Sequence, residues 1–310
     1  MDEKTYLYDS CFSRKAAHRR RRRRKKLRRL RFAIVFCLLI VGLCLGVGGW
    51  LETIHIEHIV FEGQARYTEE TLAGQLAIHE GDRMYAIDRE EAAKTLLDAC
   101  PYLATVELLP SPKGVLTVRM SEREARWALG VADGGYAILD VELTVLELAA
   151  AAQGSCVVLA DGLPQAVIGE SLPQTAHRLE EEAREARARA KEAGVDVSDF
   201  VIPDYSNPVA VLKTRLQELS EAYADADAKR APLRLDMTDR FSLVLWLNDG
   251  TRIHLGGSGE LLAKYRGAAD AIERYRQRHP EIGDMAGILV DVSDLSRISI
   301  TKNEANQEKK

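Results

Sequence analysis

The pattern of apolar and polar positions changes once near the start of the chain and is periodic afterwards. Phe32–Leu51 is a run of 20 residues without a charge, twelve of them Leu, Ile, Val or Phe. At a rise of 1.5 Å per residue, such a run matches a hydrocarbon core of ~30 Å and predicts a single transmembrane helix over 32–51. Trp50 sits at its far end, where an indole favours the interface. Beyond the run, short strand-like stretches alternate with helical stripes. Ile54 to Phe61 is strand-type and is stopped by Gly63. Thr68, Glu69 and Glu70 open a helix whose apolar side is Leu72, Leu76 and Ile78. Asp88 is placed to cap a second helix over Arg89–Ala99, with an apolar face of Ala92, Ala93, Leu96 and Leu97. Pro101 stops it, and strands are predicted at Thr105–Leu109 and Val115–Met120. The order is β-α-α-β-β.

The second half reads as strands with helices. Ser242–Leu247 alternates, Asp249-Gly250 is a hairpin turn, and Thr251–Leu255 returns. After Gly259, the apolar or small residues Leu261, Tyr265, Ala268, Ile272 and Tyr275 are spaced 4, 3, 4 and 3 apart, which predicts a helix. Ile288–Val292 and Arg297–Ile300 are the last strand-like runs, and 303–310 is a polar tail. Arg178–Lys191 is almost purely Ala, Glu and Arg, without a sustained apolar face. It predicts a solvated helix or a disordered segment within a charged insertion near 174–206, supported by i,i+4 pairs at Glu180–Arg184 and Glu185–Arg189.

Charge changes the picture at the membrane run. The formal net charge of -4 conceals a segregation: up to Leu51 the chain carries +11, and from Glu52 onward it carries -15. Thirteen Lys and Arg lie between Arg14 and Arg31, and Arg28, Arg29 and Arg31 adjoin the apolar run. Basic flanks stay in the cytoplasm, so the expected topology is a cytoplasmic tail over 1–31 with the acidic body outside. Attraction to the anionic lipid bilayer is the expected role of the basic cluster, and nucleic-acid binding is not expected. A cleaved signal peptide is the rival reading. Against it stand an apolar run longer than the ~7–15 residues of an h-region and an unusually long basic region.

The chemistry of catalysis is not legible. Among His55, His58, His79, His177, His254 and His279 no zincin-type pair occurs, and there is no Gly-x-Ser-x-Gly elbow. Gly256-Gly-Ser-Gly259 reads as a turn before a helix, and His254 as a surface residue of a strand. No Cys-x-x-Cys pair occurs, and Cys100 and Cys156 are expected as free thiols. No catalytic residue, metal or cofactor is therefore expected.

One ordered set of residues carries a resemblance. Ile56-Glu-His-Ile59-Val60-Phe61-Glu-Gly63, Ile78-His-Glu-Gly81-Asp82, Ile87-Asp88, Cys100-Pro101-Tyr102 and Glu122-Arg123-Glu124 follow one another directly after the basic tail and apolar run. Together they resemble the POTRA domain of the FtsQ/DivIB division proteins. Tyr136–Glu142 resembles the first hairpin of that family's β domain, although Leu143 stands where a glycine normally follows the Asp-x-x triplet, here Asp140-Val-Glu, and Val157–Gly162 with Ile168-Gly169 resembles its next strand and loop. Lys264 falls where the family usually carries a lysine. The resemblance implies an α+β fold: one amino-terminal transmembrane helix, a POTRA domain over 52–124, and a mainly antiparallel β domain with helices over 125–302. It implies a non-enzymatic scaffold at the division septum, single-pass in the cell membrane with the carboxy-terminal domains extracytoplasmic. Its partners would be bitopic coiled-coil division proteins of the FtsB/DivIC and FtsL type and the septal wall synthase complex. The last strand-like run also reads as a free sheet edge for a partner strand, giving Asp291, Ser296, Arg297, Ile298, Ser299 and Ile300 as the expected contact residues. A POTRA-type export or assembly factor and a membrane-anchored wall hydrolase are the competing readings.

Overall fold

A computed structural model describes residues 34–44, 46, 49–50, 53–132, 134–223, 231–239, 241–257, 259–282 and 285–302. It corrects the fold expected at the amino terminus. Among the described residues no helix is long and apolar enough to cross a membrane. Residues 34–44 form the continuous helical run described there, and Phe32, Ala33, Leu45, Val47, Gly48 and Leu51 lie outside the described residues. Eleven residues rise roughly 16 Å, about half the thickness of a hydrocarbon core. Arg28, Arg29 and Arg31 of the basic tail, and the polar tail 303–310, also lie outside the described residues.

Packing divides the chain into two compact units whose borders run through elements. The first takes in the chain up to Glu62 with Glu69–Ala93 and Glu107–Arg119; the second takes in Gly63–Thr68, Lys94–Val106 and Met120 onward. The elements from His58 to Glu122 are β1 (His58–Glu62), α1 (Glu69–Gln75), α2 (Arg89–Ala99), β2 (Leu103–Pro110) and β3 (Val115–Glu122), in the order the sequence predicts. The strands form a sheet in the order β1-β3-β2, with β1 parallel to β3. Strand β1 starts later than Ile54 because the preceding segment pairs elsewhere: Ile56 N–H donates to Asp82 O, and Gly81 N–H to Ile56 O. The cap at Asp88 forms as expected, its Oδ1 accepting from Glu90 N–H and Glu91 N–H at 3.1 Å each. Ile56, Leu72, Leu76, Ile78, Met84, Leu116 and Val118 are buried in the first unit.

The second unit is built on a nine-stranded mixed sheet, five of whose eight pairings are antiparallel. Its strands are β4 (Trp127–Gly130), β5 (Tyr136–Leu139), β6 (Val145–Ala149), β7 (Cys156–Leu159), β8 (Pro232–Asp236), β9 (Leu243–Leu247), β10 (Arg252–Gly256), β11 (Ile288–Asp291) and β12 (Ser299–Lys302). They lie in the order β12-β11-β10-β9-β8-β7-β4-β5-β6. The pairs β4–β7, β7–β8 and β10–β11 are parallel. Parallel neighbours need long crossovers. Helices α3 (Leu172–Glu192) and α4 (Ser206–Tyr223) supply the one between β7 and β8, and α5 (Leu261–Arg278) the one between β10 and β11.

Alternation along the strands sets the layers. Leu243, Leu245 and Leu247 of β9 are buried with Val209, Leu212 and Leu216 of α4 and Tyr265, Ala268 and Ile272 of α5. Val244 and Trp246, pointing the other way, are only half-buried. The charged stretch Arg178–Lys191 is part of α3. A capping box between Ser171 and Gln174 starts that helix, and Gly194, at φ 76°, follows its end. Glu180 is buried rather than solvated; its Oε1 accepts from Tyr205 N–H at 2.9 Å and Ser206 N–H at 2.7 Å, capping α4. The Glu180–Arg184 pair forms at 3.1 Å, whereas Arg189 Nε donates to the backbone carbonyl of Glu185.

Cys100 and Cys156 are buried free thiols. Burial pushes the Cys156 thiol up from its ordinary 9.0 to about 12, and the Cys100 thiol up as well. Iodoacetamide at pH 8 should therefore leave both unmodified in the native chain and modify both in urea. Because the fold favours the neutral thiol, the contribution of Cys156 to stability is complete below about 9 and is lost as pH rises from 9 towards 12. Rapid native alkylation of Cys156 would contradict this burial.

Candidate functional site

The sheet of the second unit ends at β6 on one side and β12 on the other. The two ends differ. Strand β6 is partly covered at its start: Val145 N–H donates to Glu170 O, and Gly169 N–H to Val145 O. Farther along, Glu147 Oε2 accepts from Arg66 Nη2 at 3.1 Å. Strand β12 pairs antiparallel with β11, from Ser299 opposite Asp291 to Lys302 opposite Ile288, and has no second strand among the described residues. Its side chains are exposed at Ser299, Thr301 and Lys302 and half-buried at Ile300. It is therefore a polar edge four residues long with one row of backbone groups facing outward.

The six residues expected at the edge divide into two groups. Ser299 and Ile300 lie in β12, whereas Ser296, Arg297 and Ile298 lie in the connection before it, and Asp291 ends β11. The strand starts two residues later than predicted because Asp294 organises a turn. Its Oδ1 accepts from Ser296 N–H at 2.9 Å and Ser296 Oγ at 2.7 Å, and Arg297 N–H donates to Asp294 O. These bonds from Ser296 hold the Asp294 carboxyl below the usual carboxylate range. Ile298 packs back on α5: a methyl group placed on Gly267 would lie 3.3 Å from Ile298 Cδ1. Thr301 and Lys302 belong to the edge and carry no sequence signal that separates them from the tail.

Two devices brace this edge from behind. Lys264 of α5 is buried, and its Nζ donates to Leu255 O at 2.8 Å and Gly257 O at 3.0 Å, fixing the end of β10 to the helix. Gly256 has φ 63°, and a Cβ there would come within 2.7 Å of Ser293 Cβ. A side chain at that position would push away the β11–β12 connection, so glycine is required.

A second cluster was not legible in the sequence. Ser242 Oγ lies 3.2 Å from His254 Nε2, and His254 Nδ1 lies 3.3 Å from Asp291 Oδ1. His254 is thus half-buried and bonded on both sides rather than a plain surface residue. Burial opposes ionisation of the Asp291 carboxyl, but hydrogen bonds from Ser293 and the adjacent His254 outweigh it and leave the pKa lowered. The order of the groups is that of a nucleophile, a base and an orienting acid. However, the three residues belong to adjacent segments across the β9–β11 face, both contacts are long for proton transfer, and the grooves of this unit are lined by other residues. The geometry is that of a lateral polar bridge that ties β9 and β10 to the last residue of β11.

Searched against protein-family models and against curated proteins, the chain matches none.

Proposed function

We propose that this chain is a non-enzymatic scaffold of the bacterial division machinery, related to the FtsQ/DivIB proteins, which takes up a partner segment along β12. The observation that carries the reading is the terminal position of β12 in a nine-stranded sheet, with pairing on one side only. A partner strand adding there gains backbone hydrogen bonds, and alternate side chains set its specificity. The element order from His58 to Glu122 and the resemblance of the sequence support the same assignment. The partners proposed are the bitopic coiled-coil proteins of the FtsB/DivIC and FtsL type and, with them, the septal wall synthase complex. The location proposed is the cell membrane at the septum, with the basic amino terminus cytoplasmic and the acidic body extracytoplasmic. That location rests on the charge segregation of +11 against -15.

A fluorescent fusion of the full chain should form a midcell band. Ser299→Pro and Ile300→Pro test the edge itself. Adjacent N–H groups of a strand point to opposite sides, so one of the two substitutions removes an outward donor. That variant should lose capture of the bitopic partners in pull-down while circular dichroism shows the fold retained. Capture undiminished in both variants would remove strand addition at β12 as the mechanism.

A further inference from the structure

Helix α3 outruns the core it starts from. Its last buried residue is Glu180, and the stretch from Glu181 to Glu192 rises roughly 18 Å beyond it. Leu179, Ala183, Ala186 and Ala190, spaced 4, 3 and 4 apart, form a half-buried stripe there, and every other position from 181 to 192 is exposed. The chain then turns back. Val195 N–H donates to Ala190 O at 3.0 Å, and Tyr205 N–H reaches Glu180 Oε1 at 2.9 Å. Residues 194–204 therefore return along the helix and make with it a projecting arm.

The return segment is apolar and exposed together. Val201 is 82% exposed, Val195 59% and Phe200 37%. Apolar side chains gathered on a projection mark a contact surface rather than a core. The charges around them are of both signs: 183–204 carries four Lys or Arg and five Asp or Glu, a net of -1. The side chains of Arg187, Lys191 and Asp199 have no ion pair or hydrogen bond among the described residues.

The balance of charge selects the occupant. A partner surface of one sign would gain from half of these charges and lose to the other half. The chain from Glu52 onward carries -15, so two copies repel over most of their surface and approach at least cost where the local charge is near zero. A two-fold contact turns one patch against itself, which sets the unpaired cations of each copy against the unpaired anion of the other. We propose that the arm is a self-association surface on which a second copy of this chain docks. Val195, Phe200 and Val201 pack against their equivalents, and Arg187 and Lys191 pair across the axis with Asp199. Three strands, β9 to β11, separate β8, where the crossover that carries the arm rejoins the sheet, from β12. The contact therefore leaves that edge free, and a dimer carries two such edges.

The test is sedimentation equilibrium of the full chain in a density-matched detergent at increasing protein concentration. The chain should pass from monomer to dimer. Val201→Asp should raise the dimer dissociation constant by about tenfold or more, because a two-fold contact counts the substitution twice and brings two carboxylates together. Lys191→Glu should raise it about two- to fivefold for each of the two exposed ion pairs lost. Both substitutions fall at exposed positions, and circular dichroism checks that the fold is kept. Monomer at every concentration overturns the proposal. A dimer unchanged by both substitutions places the contact elsewhere on the chain and overturns it as well. A dimer weakened by Val201→Asp alone overturns the ion pairs across the axis. A monomeric wild type whose capture of the bitopic partners is lost in Val201→Asp assigns the arm to a partner protein instead.

Discussion

Asp140→Ala lowers the stability of the second unit by about 2–4 kcal/mol, read as a fall in its urea midpoint. Asp140 is 3% exposed and carries a whole turn. Its Oδ1 accepts from Glu142 N–H and Thr144 N–H, at 2.8 Å each. Its Oδ2 accepts from Arg123 Nη1 at 2.5 Å, and the same nitrogen reaches Thr144 Oγ1 at 3.2 Å. Alanine leaves two amide donors without their acceptor and the Arg123 guanidinium without its counter-ion, although Arg123 keeps its bonds to Thr144 Oγ1 and Leu103 O. Water reaches the Arg123 side chain, which is 26% exposed, and this holds the loss below that of a fully buried pair. Asp140→Asn keeps an acceptor for the two amides and should cost about half as much. A midpoint unchanged in Asp140→Ala would show that the turn does not depend on the carboxylate.

Leu96→Ala should cost about 2–5 kcal/mol, whereas Leu97→Ala should cost less than about 1.5 kcal/mol. Both leucines lie on the apolar side of α2, but Leu96 is 0% exposed and Leu97 is half-buried. The difference is a rotation of one residue, about 100° around the helix axis. Deleting the side chain of Leu96 opens a cavity that close-packed neighbours fill only in part. Equal midpoints for the two variants would mean that the buried face of α2 is wrong.

What the sequence made legible follows the reach of each signal. Helix α2 has the predicted bounds because Asp88 and Pro101 mark its ends locally. The β9–β10 hairpin follows from Asp249-Gly250, with Gly250 at φ 83°. Strand β4 was missed because it is a run of four residues without alternation, and its pairing with β7 joins residues 29 positions apart in the chain. Helix α4 was missed although Val209, Leu212, Leu216 and Leu219 stand 3, 4 and 3 apart, because the charged run before it dominates the local composition. The terminal edge was legible as a short strand-like run rich in polar residues, and the sheet order places it at one end. The Ser242–His254–Asp291 bridge was not, because it joins three segments of the chain that only the sheet register brings together.

Leu143 illustrates a local rule overridden. It adopts φ 65°, a region that favours glycine, and it is 0% exposed. The left-handed backbone costs a side chain roughly 1–2 kcal/mol. Burying a leucine is worth about as much or more, and the bonds from Asp140 hold the turn in place. The strained position and the latch beside it are one solution.

The β7–β8 seam also has a kinetic meaning. It pairs residues 157–159 with 234–236, a separation of 77 positions in the chain. The other pairings of this sheet join segments closer in sequence. Distant pairings close late, because the entropy of the intervening loop must be lost before contacts repay it. The sheet is thus assembled from two locally closing halves, β4 to β7 and β8 to β12, zipped along one line. On a ribosome the first half can settle while the second is still being made. Among the described residues the edge strand β12 is the last element of the late half, so it is added to a sheet whose other strands have already been made.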